Sequence, residues 1–278
     1  MPMTGDANAS ETGGTAGRTT LAGEGLQHQD GHSHVLALPV PNLLCYDPAF
    51  AYEIAIIIQD GIKRMYVDQE SIFYYLTVGN EPLAMPGMPQ TGDVREGVLK
   101  GLYRFKTTTK NDAKLRAQLL GSGSIMFEVL KAQEILESKY GVGCDVWSVT
   151  SYKELYRNAN DCERWNMLHP AEAAKVPYIT QTLKDAPGPF IAASDYMKVL
   201  PESLGKWVPG QLVSLGTDGF GRSESRVALR DFFEVDAKHI VLATLGALAR
   251  EKKIGTDIVK RAIQELGINP DKADPAHS

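Results

Sequence analysis

Cysteine is scarce in this chain. Cys45, Cys144 and Cys162 are the only three in 278 residues; they are odd in number, far apart and in no CxxC pair, which argues against a disulfide framework and a thiolate zinc site and fits a reducing, cytoplasmic setting. Long apolar runs are missing too. The longest, Ala49 to Ile58, is interrupted by Glu53 and falls well short of the ~20 residues that cross a bilayer, so no membrane span is expected. Basic charge is not in excess: 29 Lys+Arg against 34 Asp+Glu leave a formal charge of −5. That gives no overall field to draw in a polyanion, and general nucleic-acid binding is disfavoured. Met1 to Thr12 has neither a basic start nor an apolar h-region, so residues 1–12 read as a polar, disordered leader and not as a secretion signal.

What is present is an ordinary globular composition, 43% apolar and 23% charged, at about twice the usual single-domain length. Gly13 to Gly31 is rich in glycine, threonine and histidine with almost no apolar periodicity, which reads as a long loop, and a loop of this kind is more often a site than a linker. Pro41 to Tyr46 reads as a short buried strand. Phe50 to Tyr66 reads as a core-facing helix with Phe50, Ile54, Ile57, Ile58, Ile62 and Met65 on one stripe, and Ser71 to Val78 as a strand. Pro82, Pro86 and Pro89 break the pattern between Asn80 and Gly97, and a domain boundary is placed there, dividing residues 13–96 from 97–278. The second part alternates again. Leu115 to Leu120 is read as a strand, and Ser124 to Tyr140 as a helix with Ile125, Val129, Ala132 and Leu136 inward. Cys144 to Val149 follows as a strand and Tyr152 to Asn166 as a helix. Phe190 to Ala193 and Gln211 to Gly216 are short strands, and helices near Ala237 to Glu251 and Thr256 to Leu266 close the chain. This alternation implies an α/β fold with mainly parallel strands and helices on both faces.

The residues that could carry chemistry are few. His28, His32 and His34 form an HxxxHxH pattern, but Gly25 and Gly31 argue against the helix that would aim a metal clamp, so no metal site is assigned. Hydrogen bonding to loop backbone is the plainer role for His32 and His34, with Asp30. Glu24 and His28 make the better functional pair, because a histidine near neutral pH can donate to a carboxylate or a developing oxyanion while a nearby carboxylate sets its charge. Gly121-Ser122-Gly123-Ser124 sits at a strand-to-helix turn. It lacks the third glycine of a dinucleotide fingerprint and reads as a βα turn with serine as cap. Thr217 to Ser223 reads as a tight turn whose serine can cap a helix. Asp161 to Asn166 suits a buried or inter-subunit contact better than catalysis, since no histidine near Cys162 in sequence could activate it.

Several segments taken in order carry a resemblance. Gly13-Gly14-Thr15-Ala16-Gly17-Arg18-Thr19-Thr20 and Gly23-Glu24-Gly25-Leu26-Gln27-His28-Gln29-Asp30-Gly31-His32-Ser33-His34 closely resemble the histidine loop of the homodimeric-type pyruvate dehydrogenase (acetyl-transferring) component, the thiamine-diphosphate-dependent decarboxylating subunit of the bacterial complex. The likeness continues through Tyr46 to Glu53, Asp161 to Asn166, Leu215 to Ser223 and Phe233 to Asp236. It implies the end of a transketolase-like pyrimidine-binding domain over residues 13–96, then a transketolase-like C-terminal α/β domain over 97–278. It also implies conversion of pyruvate to CO2 with acetyl transfer to lipoyl groups, a lipoyl acyltransferase partner and a homodimer. Within it, His28 matches the histidine that faces the substrate-derived adduct, Glu24 matches an acidic residue of the same loop, and His32 and His34 match positions without a chemical role.

The departures from the family pattern are large. Its magnesium and diphosphate motif is GDG followed by Asn, whereas here Asp218 follows Thr217 and no Asn falls between Asp218 and Asn269. The glutamate that activates the aminopyrimidine belongs upstream of the histidine loop, where Met1 to Thr12 does not match. Thiamine diphosphate and magnesium are therefore cofactors of the full-length family that this chain alone is expected not to bind. The isolated chain is expected to be inactive, needing the N-terminal and pyrimidine domains from a separate chain if the enzyme is split. The alternative is a non-catalytic truncated remnant or dimerisation module.

Overall fold

A computed structural model describes residues 10–14, 17–90 and 92–278. In chain order the elements are β1 (Ser10–Gly14), α1 (Ser33–Ala37), β2 (Leu43–Tyr46), α2 (Ala51–Ile62), β3 (Phe73–Val78), α3 (Val94–Lys100), β4 (Leu102–Lys106), β5 (Leu115–Gly121), α4 (Met126–Lys139) and β6 (Val142–Val149). They continue with α5 (Tyr152–Leu168), α6 (Tyr178–Leu183), β7 (Phe190–Ala193), α7 (Val199–Glu202), β8 (Leu212–Leu215), α8 (Arg226–Phe232), α9 (Ala237–Arg250) and α10 (Thr256–Glu265). Two sheets result. The first has the order β1-β3-β2 and is parallel throughout. The second has the order β4-β6-β5-β7-β8, with only β4 antiparallel, and its ladder to β6 is bulged between Arg104 and Lys106. β6 is buried along its whole length, as expected of a parallel strand covered on both faces. One face carries α4 and α9, with Ile125, Val129, Ala132 and Leu136 all fully inward as the periodicity predicts. The other carries α5 and α6 on Leu120, Trp147 and Phe190.

Three expectations need correction. Ser10–Gly14 forms β1, paired from Ser10↔Tyr74 to Gly14↔Val78, where a disordered leader and then a loop are expected; residues 1–9 lie outside the described ones. A polar, glycine-bearing segment can be a strand when a neighbour satisfies its main chain, and apolar patterning is blind to that. The stripe of α2 is rotated: Glu53, Ile56, Ile57 and Gly61 are its buried residues, while Ile58 and Ile62 face solvent. With isoleucine at 54, 56, 57 and 58, periodicity alone does not fix the phase. Finally, α3 runs across the expected 96/97 boundary. Asp93 caps it by accepting the Glu96 N–H, and Val94 and Val98 pack with Leu44, Ile57 and Tyr74 of the first sheet's core. Seven residues are too few for a periodic signal, and the preceding prolines hide the cap.

The two sheets are joined through shared core. Phe50, which precedes α2, is fully buried in the cluster built on the second sheet, stacked on Phe105 at 4.6 Å and edge-on to Phe127 at 5.9 Å. Glu53 is buried beside it. One carboxylate oxygen accepts the Ala49 and Phe50 N–H groups at 2.6 and 3.0 Å, and the other accepts the Tyr103 and Ser148 hydroxyls at 2.6 Å each. The first turn of α2 is thereby capped and tied to β4 and β6 at once.

Candidate functional site

The glycine-rich loop after β1 lies against the C-terminal ends of β7 and β8 and is fastened to the second sheet at many points. The Arg18 guanidinium donates to the Gly219 carbonyl, and Thr19 donates its N–H and its hydroxyl to Asp195 at 3.1 and 2.6 Å. Gly23 N–H reaches the Glu224 carbonyl at 3.1 Å, Gly31 accepts the Met197 N–H at 2.8 Å, and Gln29 accepts the Arg222 N–H at 2.9 Å. Two glycines are there for space. A Cβ on Gly17, where φ is +93°, would lie 2.1 Å from Asp195 Oδ2, and one on Gly31 would lie 2.2 Å from Arg18 Nε.

From this anchored backbone the expected pair is turned outward. Glu24 and His28 are both exposed, His28 closing a single 3-10 turn over Leu26–His28. Neither side chain has a hydrogen bond or ion pair among the described residues. Asp30 does what was expected of the loop, its Oδ1 accepting the His32 and Ser33 N–H groups at 2.9 Å to start α1. His32 is exposed, with Nδ1 3.8 Å from Asp30.

His34 departs from the expected backbone role. It is buried, with Nε2 2.9 Å from Thr77 Oγ1 and Nδ1 3.0 Å from Cys45 Sγ. The Thr77 hydroxyl donates to Asp47 Oδ1 at 2.7 Å, which leaves the His34 Nε2–H to donate to Thr77 and Nδ1 to accept from the Cys45 thiol. A chain of donors thus runs Cys45, His34, Thr77, Asp47, each polarising the next. It requires a neutral ring and a neutral thiol, and burial delivers both: the His34 pKa is lowered to about 4 and the Cys45 thiol is pushed up.

The chain ends at Asp47, and a second buried carboxylate, Asp195, lies on the same small cavity. Burial raises Asp47 to about 7, against the pull of the Thr77 and Ser122 hydroxyls. Asp195, at the end of β7, is raised to about 6 by burial, opposed by its Thr19 hydrogen bonds and by the Arg230 charge. Arg230, itself buried, reaches Glu81 at 2.5 Å and Glu128 at 3.6 Å and lies 3.4 Å from the Thr19 hydroxyl. Sequence reading missed this set. One signal for it is positional: Asp47 and Asp195 follow β2 and β7 almost at once, and carboxyl ends of strands are where α/β folds place functional groups.

The remaining motifs are structural. In the 121–124 turn, Gly123 N–H donates to the Asp47 carbonyl at 3.1 Å, and no serine caps the helix through its side chain. In the 217–223 turn, Thr217 donates to the Asp195 carbonyl at 2.7 Å and Asp218 accepts the Lys198 N–H at 3.0 Å; the helix cap is Ser225, not Ser223. Glu163 binds the Lys206 ammonium and the Trp207 indole N–H, and Cys162 is buried. Asp231, Asp236 and His239 come together as metal-type ligands. Lys238 already bridges the two carboxylates, at 2.5 and 3.9 Å. No helix among the described residues is long and apolar enough to cross a membrane.

With this geometry in view, comparison places the fold first. A transketolase from Pichia stipitis superposes with a TM-score of 0.63 at 16% identity over 89% of this chain and 32% of that one. A split-gene transketolase described as an inactive beta4 tetramer gives 0.54 at 16% identity over 86% and 67%. The chain is a transketolase-like α/β protein. The family "Pyruvate dehydrogenase E1 component middle domain" matches residues 3–86, and the "Transketolase-like TK C-terminal domain" matches residues 101–236. The pyruvate dehydrogenase E1 components of Escherichia coli K12 and Pseudomonas aeruginosa are 52% and 50% identical, each over 95% of this chain. The chain belongs to the pyruvate dehydrogenase E1 component family, and it spans about 30% of the length of these relatives.

Proposed function

We propose that this chain supplies the histidine loop and C-terminal domain of a pyruvate-decarboxylating activity that passes the acetyl unit to a lipoyl-bearing acyltransferase, acting with the part of the E1 polypeptide it does not span. The observation that carries this reading is the pairing of a firmly anchored loop with two unengaged, outward side chains, Glu24 and His28. A side chain with a structural duty would be expected to have partners. These have none among the described residues and are held where an assembled neighbour could meet them.

The described residues do not fit the magnesium and diphosphate end of thiamine diphosphate. Asp218 braces its own turn against Lys198, Asp231 and Asp236 are occupied by Lys238, and the cavity shared by Asp47 and Asp195, about 20 Å³, has no room for a diphosphate. Cofactor retention is thus assigned to the remainder of the polypeptide. The part played by this chain is narrower: His28 donates a proton or hydrogen bond to the oxygen of the substrate on which charge develops, and Glu24 is the acidic residue of the same exposed loop.

The test combines the purified chain with a companion polypeptide carrying the part of the Escherichia coli E1 component outside the match. CO2 release from pyruvate is measured with cofactor and magnesium present. Release is expected only in the mixture, and His28→Ala should lower turnover about 10²- to 10³-fold with cofactor affinity nearly unchanged. A folded mixture that releases no CO2, or a His28→Ala variant that loses cofactor binding instead, would overturn the reading. One observation favours a second reading, a non-catalytic assembly module: the split-gene transketolase of similar extent is described as inactive. Stable association of the two polypeptides without turnover would be its signature.

A further inference from the structure

The carboxyl ends of β3, β5 and β7 meet around a cavity of about 20 Å³ lined by Thr20, Asp47, Thr77, Ser124, Asp195 and Tyr196. That is room for one water-sized occupant. Its two carboxylates are 8% and 2% exposed, Asp47 and Asp195 respectively, and they are unequally compensated. Asp195 accepts both the N–H and the hydroxyl of Thr19 and feels the Arg230 charge. Asp47 accepts the Thr77 hydroxyl on Oδ1 and has the Ser122 hydroxyl nearby, but its Oδ2 has no hydrogen-bond partner and no basic side chain bonds to it among the described residues. Ser124 Oγ, on the same cavity wall, is also without a partner. The backbone makes way for this arrangement. Gly123 has φ +48°, and a Cβ there would lie 2.6 Å from both Asp47 oxygens.

An unpaired buried carboxylate is costly, and a second carboxylate on the same cavity raises the cost. A water could satisfy Asp47 Oδ2 and Ser124 Oγ as hydrogen-bonding atoms, but it would leave the charge uncompensated. The donors on offer are all oxygen, the set that hard cations prefer and transition metals do not. We propose that the cavity holds a single hard cation, ligated by Asp47 Oδ2, the Asp195 carboxylate and the Ser124 hydroxyl. The cation fastens the first sheet to the second where the carboxyl ends of their strands face one cavity. The space is too small for an ion that also carries phosphate ligands, so the site is closed and structural.

The experiment uses the whole chain, stripped with chelator and desalted. Thermal unfolding is followed during titration with CaCl2, MgCl2 and KCl, at ionic strength held constant with tetramethylammonium chloride, whose cation is too large to enter. At least one small cation is expected to raise the melting temperature saturably, as ligand linkage requires. Elemental analysis after desalting from that cation should find about one equivalent retained. Asp47→Asn should move the titration midpoint at least ~10-fold upward. Ser124→Ala, which removes one neutral ligand from a side chain with no other partner, should weaken it less and keeps the test decisive if Asp47→Asn does not fold. Asp231→Asn, in the surface cluster already filled by Lys238, should leave the midpoint unchanged. Absence of any stabilisation beyond tetramethylammonium means a water only and overturns the proposal, as does stabilisation that survives unchanged in Ser124→Ala and in any folded Asp47→Asn.

Discussion

Arg230 is a buried cation at the junction of the two sheets, and its removal is a calculable perturbation. Its guanidinium, 6% exposed in the side chain, reaches Glu81 at 2.5 Å from the loop after β3 and Glu128 at 3.6 Å from α4. Glu128 is itself buried and also accepts the Ala237 N–H at 3.1 Å. Arg230→Met keeps most of the stem volume but strands these carboxylates and withdraws the charge that opposes the rise of the Asp195 pKa. Breaking a buried ion pair by removing one partner costs about 3–5 kcal/mol. Lys131 at 2.8 Å from Glu128 and Arg226 at 3.8 Å from Glu81 offset part of that loss, so the lower end, about 3 kcal/mol, is expected. At ~2–4 °C per kcal/mol for a chain of this size, the melting temperature should drop by about 6–12 °C. The assay is urea and thermal unfolding of wild type, Arg230→Met, Glu128→Gln and the double variant. Neutralising Glu128 should be destabilising in wild type and less so, or stabilising, in the Arg230→Met background, a coupling of at least ~1 kcal/mol. A cost below about 0.5 kcal/mol for Arg230→Met, or strict additivity of the two changes, would show that the junction does not depend on this charge.

How much of this was legible beforehand depends on whether a segment's partners lie within its own pattern. α4 is readable because one face is apolar and the other is not, and Ile125, Val129, Ala132 and Leu136 follow from spacing alone. α2 carries four isoleucines in five positions and a buried glutamate, so its phase is settled by tertiary partners such as Tyr103 and Ser148, which lie ~50 and ~95 residues from Glu53. β1 is held by its ladder to β3, a feature that polar residues neither announce nor forbid. The histidines show the same division. HxxxHxH presents three alike, yet Asp30 starts α1 so that His34 turns inward onto Thr77 and Cys45 while His28 and His32 stay outside. Sequence likeness singled out His28 and Glu24 for function. It had no means of seeing that Asp47 and Asp195, ~150 residues apart, face one cavity, because that juxtaposition exists only once two sheets have met.

Two further expectations follow from the buried groups. His34 falls from an ordinary 6.5 to about 4 on folding. The unfolded chain therefore binds the proton more readily, and the neutral ring's contribution is complete above pH 6.5 and is lost as pH falls through 4, about 3 kcal/mol in all. His34→Gln, which keeps a donor toward Thr77, should flatten that part of the stability profile, and profiles that stay parallel between pH 7.5 and 4.5 would refute the assignment. Phe50 tests whether the sheets unfold as one. It belongs by sequence to the first sheet's segment but by packing to the second sheet's core, against Phe105 and Phe127. Phe50→Ala should cost about 3–5 kcal/mol. Because the void opens in the shared core, hydrogen exchange should quicken together in β3 and in β6, whose strands otherwise belong to separate sheets. If exchange rises in β3 while β6 keeps its protection, the first sheet is an independently opening unit, and the shared core is not what joins the halves.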